Sequence, residues 1–141
     1  MRAAVSLVLV AFVMLVPAAG AQAPFESVAK GTISGQQIAR QVVVRTPAEW
    51  KALWSNHAPA EKLPSVDFSR HMVVGIFLGT KPSAGHSVEI VGVRMQEKEL
   101  IVDYVQKQPG RGTMAAQMLT EPYHLVAVEQ HSGPVRFVEV K

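Results

Sequence analysis

One stretch of the sequence, residues 71–78, constrains the fold more than any other. After its first residue, His71, the stretch reads Met-Val-Val-Gly-Ile-Phe-Leu, with apolar residues at successive positions rather than at alternate ones. A strand that is apolar on both faces is stable only where both faces are covered, as in the centre of a sheet. We therefore expect this segment to be a central strand.

Short segments with strand character lie on both sides of it. Val42-Val43-Val44 is a β-branched run typical of a strand. Residues 86–95 and 100–106 predict a hairpin around the polar turn 96–98. The alternation slips near residues 91–93, which predicts a β-bulge there.

The remaining segments are less uniform. Residues 25–35 predict one or two short strands after a linker at 21–24. Residues 123–129 and 135–140 predict a last hairpin around a Ser-Gly-Pro turn. Residues 115–120 fit either a strand or a bridging segment.

One helix is predicted after residue 46. Thr46 can cap it, Glu49 can complete a capping box, and Pro47 stands where a missing backbone donor costs nothing. Four residues then fall on one helical face: Trp50, Leu53, Trp54 and His57. We expect this face to pack on the sheet, with His57 as its polar tip.

These patterns together predict a mainly β (α+β) fold. It is an antiparallel sheet or sandwich of about seven strands, with one short amphipathic helix on one face or end.

The start of the chain predicts a secretory signal peptide at residues 1–21. Arg2 precedes an apolar run at 3–16, and Ala19-Gly20-Ala21 offers a small-residue cleavage site before Gln22. The run is shorter than the roughly 20 residues that span a bilayer. We therefore expect a single domain at 22–141, periplasmic or secreted, with no stable membrane anchor.

Composition excludes several classes of function. The chain has no cysteine, so it has no disulfide, no thiolate metal site and no lipidation site behind the signal. The net charge is only +3 and the basic residues are scattered, so nucleic-acid binding is not expected.

A search for catalytic chemistry finds no motif. The histidines fall at no metal-ligand spacing: His57, His71, His86, His124 and His131. There is no nucleophile elbow, phosphate loop or dinucleotide fingerprint. Asp103 is expected to face solvent or to pair across its hairpin. We predict no catalytic residue, no metal and no cofactor, and therefore not an enzyme.

Three loops are the remaining candidates for a functional site, at residues 79–86, 108–113 and 121–124. Each combines proline with glycine or with an aromatic residue, so each is stiff, and binding residues concentrate on such loops. The sequence leaves open whether the loops meet. The predicted partner-binding residues are Lys81, Pro82, Ser83, Gly85, His86, Arg111, Pro122 and Tyr123.

At these loops the chain resembles the PrcB C-terminal domain family. The run Phe-Leu-Gly-Thr-Lys-Pro-Ser-Ala-Gly-His at 77–86 is similar to the family signature of apolar strand, Gly, basic residue, Pro, Thr or Ser, Gly, Gly, Tyr. Pro109-Gly110 and Glu121-Pro122-Tyr123-His124 also fall where the family has its loops, and the likeness covers residues 66–140. Ala84 and His86 depart from the usual Gly and Tyr.

The resemblance implies a bacterial envelope protein without catalytic residues. The family is named for a non-catalytic subunit of an exported protease complex. The resemblance therefore implies a binding or stabilising role towards a protease or another envelope protein.

A looser likeness is to chagasin-like inhibitors of cysteine proteases, which present three loops from a β-sandwich. Here the corresponding segments are 81–86, 110–112 and 121–123, although the family's Asn and Arg are absent. This likeness implies an inhibitor acting through stiff loops, as an alternative to a stabilising subunit.

Overall fold

The computed structural model describes residues 21–141, so the predicted signal peptide lies, apart from Ala21, outside the described residues. The elements follow in the order β1 (Ala21–Gln22), β2 (Phe25–Gly31), β3 (Arg40–Val44), α1 (Pro47–His57), β4 (His71–Phe77), β5 (Ser87–Gln96), β6 (Glu99–Lys107), β7 (Tyr123–Glu129) and β8 (Val135–Glu139). The prediction of a mainly β fold with one short helix is confirmed.

The strands form two four-stranded sheets that pack face to face. Sheet A has the order β1-β5-β6-β8 and sheet B the order β2-β7-β4-β3. Neighbouring strands are antiparallel except β6 and β8, which are parallel. The core between the sheets consists of Met72, Val74, Ile76, Leu78, Val88, Ile90, Val93, Leu100, Val102, Tyr104, Val126 and Val128.

Strand β4 is central, as predicted. It pairs with β3 on one side and with β7 on the other. Successive side chains of a strand point to opposite faces. Met72 and Val74 therefore enter the core between the sheets, whereas Val73 and Phe77 enter a second cluster under the helix.

Helix α1 covers the outer face of sheet B. Thr46 caps it with a hydroxyl that accepts a hydrogen bond from the Glu49 backbone N–H at 3.2 Å, and Pro47 occupies the first turn. The buried residues are the four predicted ones, Trp50, Leu53, Trp54 and His57. The prediction of His57 as a polar tip is wrong, since only 2% of this residue is exposed.

The two indole N–H groups hold the segment that follows the helix. The Trp50 Nε1 donates to the Pro64 carbonyl at 2.9 Å, and the Trp54 Nε1 donates to the Glu61 carbonyl at 3.0 Å. Both indoles are therefore buried with their polar atoms satisfied, which burial of a tryptophan requires.

The predicted last hairpin is wrong. Strand β7 belongs to sheet B, whereas β8 joins sheet A and runs parallel to β6, with Val135 opposite Leu100. The connection between them crosses from one sheet to the other because side chains from elsewhere hold its backbone. The Arg45 guanidinium donates to the carbonyls of His131 and Gly133 at 3.1 and 3.0 Å.

Two further predictions concern the pairing of strand β5. The predicted bulge is confirmed between Ile90 and Gly92. The linker predicted at 21–24 begins instead as β1, in which Ala21 and Gln22 pair with Met95 and Arg94.

Candidate functional surface at one end of sheet B

The predicted loop at residues 79–86 meets segment 115–120 at the end of sheet B where β4 finishes and β7 begins. Lys81 and Thr120 exchange backbone hydrogen bonds of 2.7 and 3.0 Å. The Ala84 N–H donates to the Ala116 carbonyl at 2.9 Å. Residues 115–120, left undecided by the sequence, therefore form a bridging segment with a single strand-like pair at Thr120.

A further loop at this end, residues 32–39, was missed by the sequence analysis. The Glu121 N–H donates to the Thr32 carbonyl at 2.8 Å, and the Thr80 N–H donates to the Gln37 carbonyl at 3.0 Å. We call the assembly of residues 32–39, 78–86 and 108–122 the loop end.

Two glycines of the 78–86 loop permit this close packing. Gly79 and Gly85 have φ angles of 75° and 91°, which L side chains rarely adopt. A Cβ at Gly79 would lie 2.7 Å from the Ala39 nitrogen, and one at Gly85 would lie 2.9 Å from the Cγ of Pro109. The loop end is therefore a shaped surface whose backbone is fixed.

The predicted partner-binding residues divide into three groups. Pro82, Gly85 and Arg111 are exposed. Lys81, Ser83 and His86 are half-buried, and Pro122 and Tyr123 are buried.

Tyr123 supports the loop end from below. Its ring lies 4.2 Å from the His57 ring and 6.0 Å from the Phe77 ring, and only 8% of the residue is exposed. Burial, reinforced by the Glu61 carboxylate, raises the pKa of its hydroxyl. The Pro122 carbonyl accepts a hydrogen bond from the Leu78 N–H at 2.9 Å. These buried side chains are thus poorly placed to contact a partner.

The loop end exposes large apolar side chains. The exposed fractions are 78% for Ile33, 79% for Ile38, 99% for Met114, 50% for Met118 and 70% for Leu119. These residues could not be predicted from the sequence, because apolar residues without a helical or strand period form no recognisable pattern. The only signal for Ile33 and Ile38 was their position in a segment rich in Ser, Gly and Gln.

The charges at this end are mostly positive. Lys81 and Arg111 lie in the loops, and Arg40 and Lys107 lie at the adjoining strand ends. Glu121 is the one carboxylate within residues 32–39, 78–86 and 108–122. Within residues 21–141 the ion pairs join Lys30 to Glu89, Arg94 to Asp103 and Arg136 to Glu99, so none of these loop-end charges is neutralised by one. The Arg94 pair, at 2.9 Å, confirms the prediction that Asp103 pairs across its hairpin.

His124 is a buried link between the two sheets. Its Nδ1 accepts a hydrogen bond from the Ile90 N–H at 2.8 Å, so the proton sits on Nε2, which donates to the Ser27 hydroxyl at 2.9 Å. Burial, with Lys30 nearby, lowers the pKa of His124 and keeps the ring neutral. With its acceptor nitrogen occupied, His124 cannot take a proton from Ser27.

A second Ser–His pair fastens the 32–39 loop to α1. The Ser34 hydroxyl and the His57 Nδ1 are 2.7 Å apart, and the same hydroxyl accepts from the Gln36 N–H at 3.0 Å. The Nε2 of His57 has no hydrogen-bond partner, and burial lowers the pKa of the ring. Because no third group orients the ring, this pair joins two elements and does not form a catalytic triad.

Two further features of the described residues concern metal ligands and membrane-spanning helices. Among residues 21–141, no three His, Cys, Asp or Glu side chains are grouped so that they could hold a metal ion. Within the same residues, no helix is both long and apolar enough to cross a membrane.

Comparison with known proteins agrees with the resemblance seen in the loops. The family model described as PrcB C-terminal matches residues 72–129, from β4 to β7. This stretch contains the 78–86 loop and the 108–122 segment. No curated protein and no solved structure matches the chain. Residues 72–129 of this chain are therefore similar to the PrcB C-terminal family.

Proposed function

We propose that this protein is an exported, non-catalytic protein-binding module whose loop end contacts a partner protein. The observation that carries the proposal is the group of five apolar side chains at that end, each at least half exposed. Exposed apolar patches on soluble proteins often mark surfaces that bind other proteins. Two of the five are methionines, whose flexible side chains adapt to an opposing surface.

The backbone of the loop end also suits binding. Hydrogen bonds from Lys81, Ala84 and Glu121 tie its loops together before any partner arrives. Preorganised loops lose little conformational entropy on association, so more of the contact energy appears as affinity.

The family match supports an envelope protease complex as the setting. A stabilising subunit in the periplasm or outside the cell fits a family named for a non-catalytic subunit of an exported protease complex. In this role the chain would bind the protease, or another envelope protein, without altering its chemistry.

Chagasin-like inhibition is the second candidate. The meeting of the 78–86 and 108–122 loops favours it, because such an inhibitor needs its loops side by side. The burial of Pro122 and Tyr123 counts against it, since the third loop then has no projecting aromatic residue.

The test compares two baits in native envelope extract. One carries Ile33→Ser, Ile38→Ser and Leu119→Ser at the loop end, and the control carries Val91→Ser, an exposed apolar position in β5. We expect the wild type and the control to capture a common protein that the triple variant loses. Equal capture by all three baits would refute the loop-end assignment.

A papain assay separates the two candidates. Stoichiometric inhibition by the wild type, lost in the triple variant, would establish the inhibitor and refute the stabilising subunit. Unchanged papain activity is the result that we expect.

A further inference from the structure

The other end of sheet B carries a groove of about 560 Å³. Strand β7 runs antiparallel to both β2 and β4, so Phe25, His71 and Glu129 lie at the end opposite to the loop end. The groove is lined by residues 24–28, 64–67 and 127–129, together with His71. It lies where the segment after α1 passes over sheet B.

The lining of this groove combines apolar residues with three carboxylates and His71, and Arg70 lies beside it near Asp67. Its apolar members are Phe25, Val28, Val66, Ala127 and Val128. Its carboxylates are Glu26, Asp67 and Glu129, and none of them forms an ion pair within residues 21–141. The Asp67 carboxylate accepts hydrogen bonds from the Ser69 hydroxyl and N–H at 2.6 and 3.0 Å, which lower its pKa and favour the charged form.

We propose that the groove of one copy of this chain receives the loop end of a second copy. The inference rests on the proposed function, because it names a partner for the same loop-end surface. Lys81 and Arg111 would face the carboxylates, and apolar side chains of segment 114–119 would enter between them. Matching a cationic surface to an anionic one fixes the orientation of such a contact.

The size of the groove suits this occupant. Binding clefts commonly measure about 300–1,000 Å³, so 560 Å³ can hold a few side chains of a loop. Segment 114–119, Met-Ala-Ala-Gln-Met-Leu, presents such side chains, with Met114 fully exposed and small alanines between the larger residues.

The geometry determines the kind of assembly. The two surfaces differ and lie at opposite ends of sheet B, so the contact is head-to-tail. In each pair, one copy keeps a free groove and the other keeps a free loop end, and both can bind further copies. Copies should therefore associate into short chains. The contact area is small and charged, so association should be weak and should decrease as salt rises.

A charge exchange tests the inference by sedimentation velocity at low salt. One variant carries Lys81→Glu and Arg111→Glu, and a second carries Glu26→Lys and Glu129→Lys. We expect the wild type to self-associate and each variant to stay monomeric. An equimolar mixture of the two should associate again, because each loop end then meets a groove of opposite charge.

A control with the same charge change as the first variant carries Lys51→Glu and Lys98→Glu, two exposed positions outside both surfaces. It should associate as the wild type does. Circular dichroism on every variant verifies that the fold is intact.

Two results would overturn the inference: a wild type that is monomeric at every concentration, or a mixture that does not associate. Neither result affects the proposed function, which depends on whether the loop-end triple variant loses a partner from envelope extract.

Discussion

The helix-covered face of sheet B and the loop end hold similar side chains in opposite environments. Under α1, Trp50 is 2% exposed, whereas Met114 at the loop end is 99% exposed. Burying a large apolar side chain stabilises a fold by about 1.5–3 kcal/mol, and leaving it in water contributes nothing. The residues under the helix therefore contribute to stability, whereas the exposed apolar residues of the loop end do not and are free to serve association.

The largest expected effect tests the helix-covered face. Trp50→Ala should lower the free energy of unfolding by about 3–5 kcal/mol, because it removes a buried indole and leaves a cavity. Met114→Ala, the matched change at the loop end, should alter it by less than about 0.5 kcal/mol. Urea unfolding of both variants provides the comparison. Similar losses would mean that the loop end also contributes to the core.

The second prediction concerns the effect of acid on two buried histidines: His57 at the end of α1 and His124 between the sheets. Burial lowers the pKa of both His57 and His124 from 6.5. Glu61 opposes this shift at His57. At His124, Lys30 adds to the shift and Glu89 opposes it. The unfolded chain therefore takes up these protons first as the pH falls. Stability is fully present above pH 6.5 and is lost as the pH falls below that value towards the folded pKa of each ring.

Urea unfolding from about pH 7.5 to about pH 5 measures this loss, which amounts to about 1.4 kcal/mol for each unit by which folding lowers a pKa. His124→Gln should be less stable at neutral pH, because the new side chain does not reproduce both hydrogen bonds of the ring. Its stability should also depend less on pH below 6.5. An unchanged pH dependence in this variant would exclude His124 as a source.

The last prediction tests whether the backbone of the loop end is held in a fixed conformation. Gly85→Ala must accommodate both a φ of 91° and the nearby Pro109, whereas Gly112→Ala meets only a φ of 75° with nothing within 4 Å. We expect a loss of about 1 kcal/mol for Gly112→Ala and a larger one, up to about 3 kcal/mol, for Gly85→Ala. Thermal unfolding compares the two variants. Equal losses would indicate that Pro109 moves aside and that the loop is not tightly fixed.

The parts of the fold that depend on neighbours in sequence were predictable. The cap by Thr46, the proline in the first turn and the spacing of Trp50, Leu53 and Trp54 define α1 through contacts within a few residues. Strand β4 was predictable for a similar reason, because a run that is apolar on both faces has to be covered twice.

The parts that depend on distant contacts were not predictable. Nothing near β8 in sequence shows that it lies beside β6, since Arg45 holds the crossing connection from far along the chain. Tyr123 is of a residue type that is common in binding sites. Only the packing of His57 and Phe77 against its ring shows that it is buried. The loop-end surface also escaped prediction, because Ile33 and Ile38 belong to no periodic pattern.

The pairing of β2 with β7 has a consequence for how the protein is made. Phe25 lies opposite Val128, so β2 has no ladder partner until about 100 further residues have been synthesised. Contacts so distant in sequence slow folding, because a long loop must close before any pairing stabilises it. A nascent chain of this protein therefore keeps β2 without its ladder partner throughout most of its synthesis.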